Sequence, residues 1–553
     1  MMDNFFEQNM RTLSLCNREL FSRLTACNAS INRYTFSQSR TGKIVPSLVN
    51  PLHSMVDPEK EAQRMVSTIS DDTGFLVFLG LGGGFVPEAA LALTAAQITV
   101  IDFNIDGIAG LFRSKDYTHL LSNSRFSLLA DSSVDEIKSF ILEQYRPAIH
   151  GGIKVIPLRA RIEADVSKFE AAAAAIEEAI GNIAADYSVQ AHFGSRWFSN
   201  IIRNIKAAEK SAKAAAKEKI FPPVKEAAIA AAGPSLDQQM PLLAEYKSRQ
   251  VFIISCDTAL PALLYRGIKP DAVVSIDCQH ISYYHFLGCD TRNVPLFLDI
   301  ASPPLLSSLS PSAHFFSSGH PLAVYISQWW RQLPAVDTSG GNVTYACLSL
   351  AHNLGAQRIT AFGADFSYTG ARTYARGTYI YPFFEKKQNR LSPMESLFSA
   401  FLYRSPFLPS ENKNCNETAQ LRFYRQKFEE KAAAMNAEIT AAPGGGAPVN
   451  LSRKKTHNAA PVPFAAGKAR ITGGEFLEQY CGKIAALPAA GSLETSGDNN
   501  YFQNLSAEDR QIFFTLLPGM AALKHRNPKL KTQELIEEIK RLSMSEIVRV
   551  AAV

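Results

Sequence analysis

At 553 residues the chain exceeds what one hydrophobic core organises, so two or three domains are expected. Hydrophobic residues make up 46% and charged residues 20%, the balance of a globular protein, and a net charge of +6 dispersed among acidic residues gives no footprint for nucleic acid. No window supplies the roughly twenty apolar residues of a membrane span, the N-terminal MMDNFFEQNMRTLSL is neither a secretory signal nor a transit peptide, and the eight cysteines form no C-x-x-C pair; the expectation is a cytoplasmic protein with reduced thiols, no membrane insertion and no zinc site.

The first seventy residues begin helical and turn irregular, and Asp57-Pro58 then opens an amphipathic helix through a capping carboxylate and an N1 proline. Next comes an apolar strand from Gly74 that is broken by Gly80, Gly82, Gly83 and Gly84. A helix, PEAALALTAA, and a second strand, ITVIDF, which carries Asp102 near its end, complete the unit. A glycine turn after a first strand, with an acid about twenty residues on, binds nucleotide or adenosyl groups at a helix N-terminus and a ribose. The same glycines also permit close helix–sheet packing, and both readings stand at this point. Residues 1–165 are assigned to this N-terminal domain. Residues 166–222 link it onward as two Ala-, Glu- and Lys-rich helices within Ser167–Lys219, closed by Phe221-Pro222-Pro223.

The third region, 223–455, opens with AAIAAAGPSLD. The apolar run suits a strand covered on both faces, and Gly233, Pro234 and Ser235 form a turn whose backbone a phosphate can approach. Ser235 is placed to cap the following helix, although Pro241 argues for a start nearer Met240. Further strands end at Asp257, Asp277 and Asp299, and HFFSS runs into Gly319-His320. In a doubly wound sheet, ligands bind beyond such carboxyl ends. Thr338 to Asn342, with Gly340 and Gly341, bares a helix N-terminus capped by Asn342, a second candidate anion site. Another strand leads to Asp365, followed by a loop in which Arg372 and Arg376 could hold a carboxylate or phosphate while Tyr374 and Tyr379 stack on a ring. Each feature alone is equally at home in an ordinary cap, turn or loop; their repetition on successive strands is what points to a site. Residues 456–553 are assigned to a basic, Ala- and Pro-rich linker and a small helical domain, preceded by a flexible glycine stretch, AAPGGGAPVN.

HSMVDPEKEA, FLGLGGGF, WFSNIIRNI, AAGPSLD, PDAVVSID, GGNVTYACLSLAHNLGAQRITAFGADFSY and NAEITAAPGGGAPVN, in this order over residues 45–455, together resemble the motility accessory factor proteins. These are flagellin glycosyltransferases with a domain related to archaeal 6-hydroxymethylpterin diphosphokinases. The chain departs from them at Asn342, often Ser, and at Tyr374, often His. The resemblance implies an α/β chain of two Rossmann-like doubly wound domains, the central one sialyltransferase-like, joined by helices and followed by a small helical domain. It also implies transfer of a nonulosonic acid of the pseudaminic or legionaminic type from its CMP-activated form to Ser or Thr hydroxyls of flagellin, with no cofactor required. For that reaction Gly233, Ser235 and the Gly340–Asn342 turn are the expected phosphate contacts, and Asp365 or Asp277 is the expected base, with His320 in reserve. The alternatives are a pyrophosphokinase in which Asp257, Asp277 and Asp365 hold Mg2+, a non-catalytic flagellin-binding protein, and methyl transfer from S-adenosylmethionine by the N-terminal unit.

Overall fold

The computed structural model describes residues 2–27, 34–215, 224–370, 372–408, 414–451, 466–490 and 501–551. Phe221-Pro222-Pro223 and most of the expected basic linker lie outside them. The chain divides into two compact units, one formed by Met1–Gly194, Ala486–Phe513 and Leu517–Arg541, the other by Ser195–Ala485, Phe514–Leu516 and Leu542–Val553. The C-terminal helices Ala507–Arg526 and Thr532–Ala551 are thus shared between them.

In the first unit, helices Met2–Cys16 and Arg18–Ala26 precede a hairpin of β1 (Thr35–Gln38) and β2 (Ile44–Ser47), which the sequence did not announce. The helix Pro58–Val66 starts as expected, its Asp57 side chain accepting the Lys60 amide at 2.9 Å. Strands β3 (Phe75–Leu79), β4 (Gln97–Asp102), β5 (Phe126–Ala130) and β6 (Ile153–Pro157) form a parallel sheet in the order β5-β4-β3-β6. Both faces are covered, which is why these strands read as continuous apolar runs. Leu76, Phe78, Ile98 and Val100 pack on one side, and Phe75, Val77 and Ile101 on the other, against Phe169, Ala172 and Ile176.

Those last residues belong to a single helix, Val166–Ala215, where two were expected. Its interior glycines do not break it: a Cβ on Gly181 would meet nothing, and Gly194 stands where the Pro518 carbonyl approaches too closely for any side chain.

The second unit holds seven parallel strands, β7 (Glu226–Ala230), β8 (Phe252–Cys256), β9 (Ala272–Ser275), β10 (Leu296–Asp299), β11 (Ala313–Phe316), β12 (Arg358–Phe362) and β16 (Glu438–Ala441). Between β12 and β16 the chain inserts a small antiparallel sheet of β13 (Tyr368–Thr369), β14 (Phe407–Leu408) and β15 (Cys415–Thr418). The order β11-β10-β9-β8-β7-β12-β16 means that the chain winds outward from β7 and then returns to lie on its other side. The winding reverses between β7 and β12, where open sheets of this kind bind ligands. The fold class read from the sequence is therefore the one observed. Among the described residues no helix is long and apolar enough to cross a membrane.

Candidate functional site

At the reversal point the ends of β7 and β12 are locked together. The Gly233 amide donates to the Gly363 carbonyl at 2.9 Å, and a Cβ at Gly233 would sit 2.4 Å from that oxygen, so only glycine allows the two turns to meet. Asp365 binds Ser235 through both carboxylate oxygens: the Ser235 amide donates to Oδ2 at 2.8 Å, and the Ser235 hydroxyl donates to Oδ1. Ser235 therefore makes no side-chain cap, and the helix Leu236–Ser248 begins directly after it with Pro241 in its interior, a correction to the later start expected.

The AAPGGGAPVN stretch, expected to be flexible, closes this corner. The Ala447 amide donates to the Asp365 carbonyl at 2.9 Å, Gln239 donates to the carbonyls of Ala442 and Pro443, and a Cβ on Gly446 would collide with Asp365 at 2.6 Å. Burial pushes the Asp365 carboxyl above its ordinary range, with the Ser235 bonds pulling the other way.

Beside this corner is a cavity of about 220 Å3, lined among others by Gly233, Thr258, Asn342, Thr344, Thr373 and Tyr374. Three elements bring them together: the turns after β7 and β8, the N-terminus of the helix Val343–Asn353, and the loop after β12. Asn342 caps that helix as expected, its side chain accepting the Tyr345 amide at 3.0 Å. The amides of Val343 and Thr344, in the same first turn, have no partner inside the helix and carry the positive end of its dipole. Thr373 is 4% exposed, and its hydroxyl has no hydrogen-bond partner among the described residues. A buried polar group left this way is costly unless something outside the chain completes it. The cavity thus joins donor amides, hydroxyls and the rings of Tyr374 and Tyr424, a lining suited to an anion carried by a flat group.

Other expected residues are distributed differently. Gly340 makes room for the Tyr345 ring and Gly341 takes a positive φ of 74° beside Tyr424; neither lines the cavity. Arg372 is ion-paired to Asp237 at 2.6 Å, whose other oxygen accepts the Arg376 amide, while the Arg376 side chain is exposed. Pro234 shapes the turn, and His320 stacks on Trp197 at 4.3 Å near Asp299, away from the cavity. Burial raises Asp299 and also Asp277, whose Oδ1 accepts the Gln279 amide at 2.9 Å.

Asp257, at the end of β8, is 1% exposed. Its Oδ2 accepts the Ser275 hydroxyl at 2.7 Å, and its Oδ1 accepts the Thr258 amide at 2.6 Å and faces His285 Nδ1 at 3.3 Å. Burial alone would raise this carboxyl; His285 and the bonds from Ser275 and Thr258 outweigh it and hold it below the ordinary range. His285, Thr258 and Thr373 are not among the residues expected from the sequence. The only signal for them is position just after a strand end or in the loop facing one. Among the described residues no group of three or more His, Cys, Asp or Glu side chains is placed to hold a metal ion.

In the first unit the expected cofactor position is filled by the chain itself. Asp102 Oδ2 accepts the Leu81 amide at 2.8 Å, and its Oδ1 pairs with buried Arg161 at 2.8–2.9 Å. His53 accepts the Gly83 amide at 2.8 Å, the Tyr117 hydroxyl bonds the Gly83 carbonyl, and Arg161 and His53 occupy the space that the bare Gly80 and Gly82 leave. Gly84, at φ 81°, starts the helix Phe85–Leu93 over the Tyr117 ring.

Residues 199–371 match the model of the 6-hydroxymethylpterin diphosphokinase MptE-like family. An uncharacterized protein of Treponema pallidum (strain Nichols) is 47% identical over 154 residues, 28% of this chain and 51% of the relative, so the chain spans about half the length of that protein. A second uncharacterized protein of the same organism is 32% identical over 194 residues, 32% of this chain and 87% of the relative. The structure is similar to that of the MAf glycosyltransferase from Magnetospirillum magneticum AMB-1, with a TM-score of 0.61 and 14% identity over 100% of this chain and 96% of that one, a likeness of fold. The chain is thus a relative of the MptE-like proteins with the fold of the MAf protein, and it belongs to the family of the Treponema pallidum protein that it matches over 87% of that protein's length.

Proposed function

We propose that the chain is a protein O-glycosyltransferase that moves a nonulosonic acid from its CMP-activated donor to Ser or Thr hydroxyls of flagellin in the cytoplasm, in support of filament assembly and motility. The observation that carries this reading is the cavity at the reversal point, lined together by the N-terminus of Val343–Asn353 and by Thr373, a residue whose buried hydroxyl has no partner among the described residues. The donor phosphate sits there, held by the Val343 and Thr344 amides and the threonine hydroxyls. These donors stabilise the charge that grows on the phosphate as CMP leaves. Tyr374 and Tyr424 flank the cytosine. The likeness of fold to a MAf glycosyltransferase supports the reading at the level of reaction type. The test is the intact mass of flagellin from cells with and without the gene: loss of whole nonulosonic acid units on deletion is expected, and an unchanged mass refutes it.

The family model matched over 199–371 favours a second reading, ATP-dependent pyrophosphoryl transfer to a hydroxymethylpterin. Against Mg2+ held by Asp257, Asp277 and Asp365 stands the absence, among the described residues, of three acidic, histidine or cysteine side chains grouped to hold a metal ion. Asp257 already accepts from Ser275 and Thr258 beside His285, and Asp365 is bonded through both oxygens to Ser235. Pyrophosphorylated pterin formed from ATP by the purified chain would install this reading in place of the first.

A further inference from the structure

Transfer to a hydroxyl requires a group to take its proton, and the carboxylates Asp365 and Asp277 at the strand ends already accept hydrogen bonds from neighbouring turns. Asp365 holds the Ser235 turn beneath Gly446, and Asp277 holds the Gln279 amide. His285, at the C-terminus of the short helix Ile281–Tyr284, is arranged differently. Its Nδ1 lies 3.3 Å from Asp257 Oδ1 and 3.3 Å from the Thr258 hydroxyl, and Nε2 makes no hydrogen bond to the described residues. Its ring sits 4.6 Å from that of Tyr379, which lies 6.2 Å from Tyr374. Thr258 and Tyr374 both line the cavity, so the imidazole stands one side chain from its wall.

We propose that His285, oriented by the buried Asp257, is the general base that activates the acceptor hydroxyl. This inference rests on the glycosyltransferase reading above. In this proposal the Nδ1 proton lies on the side of the Asp257 carboxylate and of the Thr258 hydroxyl, which itself donates to Asp257, and the Nε2 lone pair is left for the substrate, as where a buried carboxylate orients a catalytic imidazole. In the step, the acceptor oxygen bonds to the anomeric carbon and the bond from that carbon to the phosphate oxygen breaks. The bonding pair leaves on CMP, and the hydroxyl proton passes to Nε2 and then to water. The imidazolium formed in between is stabilised by Asp257. The titratable groups that face His285 are Asp257 from the end of β8, Asp277 from the end of β9 and Tyr379 from the loop after β12. Asp257 is the positioning residue, and Ser275 and Thr258 hold it in place.

The experiment uses the full chain, a CMP-activated nonulosonic acid and flagellin, reading CMP release against pH, with calorimetric titration of CMP alone. For His285→Gln, CMP affinity is expected to stay at the wild-type level while kcat falls by about 10²–10⁴-fold and the acid limb of its pH profile disappears. For Asp257→Asn, the limb is expected to move to lower pH, since the imidazolium has lost its counter-charge. A His285→Gln enzyme with wild-type kcat and an unchanged acid limb overturns the proposal while leaving the transferase reading intact. A wild-type chain that neither binds CMP nor releases it overturns both. Should the Gln variant lose CMP binding through misfolding, Asp257→Asn decides alone, and an unmoved acid limb refutes the base.

Discussion

Asp102→Asn is the substitution that separates a structural from a ligand-binding reading of the N-terminal glycine turn. Asp102 and Arg161 have side chains with no exposure, and the carboxylate also accepts the amides of Leu81 and Asn104, so it fixes the turn to the end of β4. Neutralising it leaves a guanidinium buried with only Asp165 to offset it, at 2.6 Å through Nη1. Removing one partner of a buried pair costs about 3–5 kcal/mol, a large part of the roughly 5–15 kcal/mol that holds a domain together. At about 2–4 °C per kcal/mol for a unit of this size, the midpoint of its unfolding drops by about 6–20 °C. Thermal unfolding combined with hydrogen exchange at the β3 and β4 amides localises the loss to this unit. The double variant Asp102→Asn with Arg161→Met should recover part of it, because the uncompensated charge is then gone while the Asn oxygen still accepts a turn amide. If Asp102→Asn instead unfolds within about 1 kcal/mol of the wild type and abolishes binding of an adenine nucleotide, the turn is a ligand site and the reasoning is wrong.

Other substitutions probe the second unit. Thr373→Val keeps shape and removes a hydroxyl that bonds nothing within the chain. Its unfolding midpoint should hold or rise, while CMP affinity measured by calorimetry falls by about 1–3 kcal/mol. Asn342→Ala removes the cap on the Tyr345 amide and should cost about 1 kcal/mol in denaturant unfolding. Gly446→Val drives a side chain into Asp365 and should lower both CMP affinity and stability, whereas Gly474→Ala, where a Cβ meets nothing, should change neither. Asp299 is fully buried with its carboxyl raised by that burial. Its folded-state pKa therefore exceeds the unfolded one, and the stability it contributes is present at low pH and lost as pH rises through the folded value. The advantage of Asp299→Asn over wild type in urea unfolding should accordingly be largest near neutrality and shrink on acidification.

What the sequence conveyed well was local. The strand ends at Asp102, Asp257, Asp277 and Asp299, the caps at Asp57 and Asn342, and the helix from Val343 each depend on neighbours within a few positions, and the structure has them. What it hid was contact at long separation. The Ser235–Asp365 bond spans 130 residues and converts two expected site residues, a phosphate donor and a base, into partners of each other. The glycine run 444–446 is indistinguishable from a linker until the Asp365 backbone is placed against it. His285 caps the end of a four-residue helix with no periodicity to mark it, and its place beside the end of β8 gives it a carboxylate.

The chain uses the strand–glycine–helix unit twice, and the outcome differs because of what fills each turn. After β3, Arg161 and His53 enter the space beside Gly80 and Gly82, and the acid that could face a ribose is neutralised by a buried guanidinium. After β7, the corresponding space is bounded by backbone, by the glycine run and by a carboxylate that faces Ser235, while the neighbouring cavity keeps an unpartnered hydroxyl and an uncovered helix start. Glycine after a strand therefore licenses close approach without saying of what: a side chain of the same chain satisfies the requirement as well as a phosphate does. The discriminating feature is what occupies the space beside each turn. Beside the first turn Arg161 and His53 fill the space, and Asp102 and the Gly83 amide and carbonyl have partners within the chain; beside the second a cavity stays open. It is this open cavity, more than the glycines or the acids on their own, on which the proposed chemistry of the second unit rests.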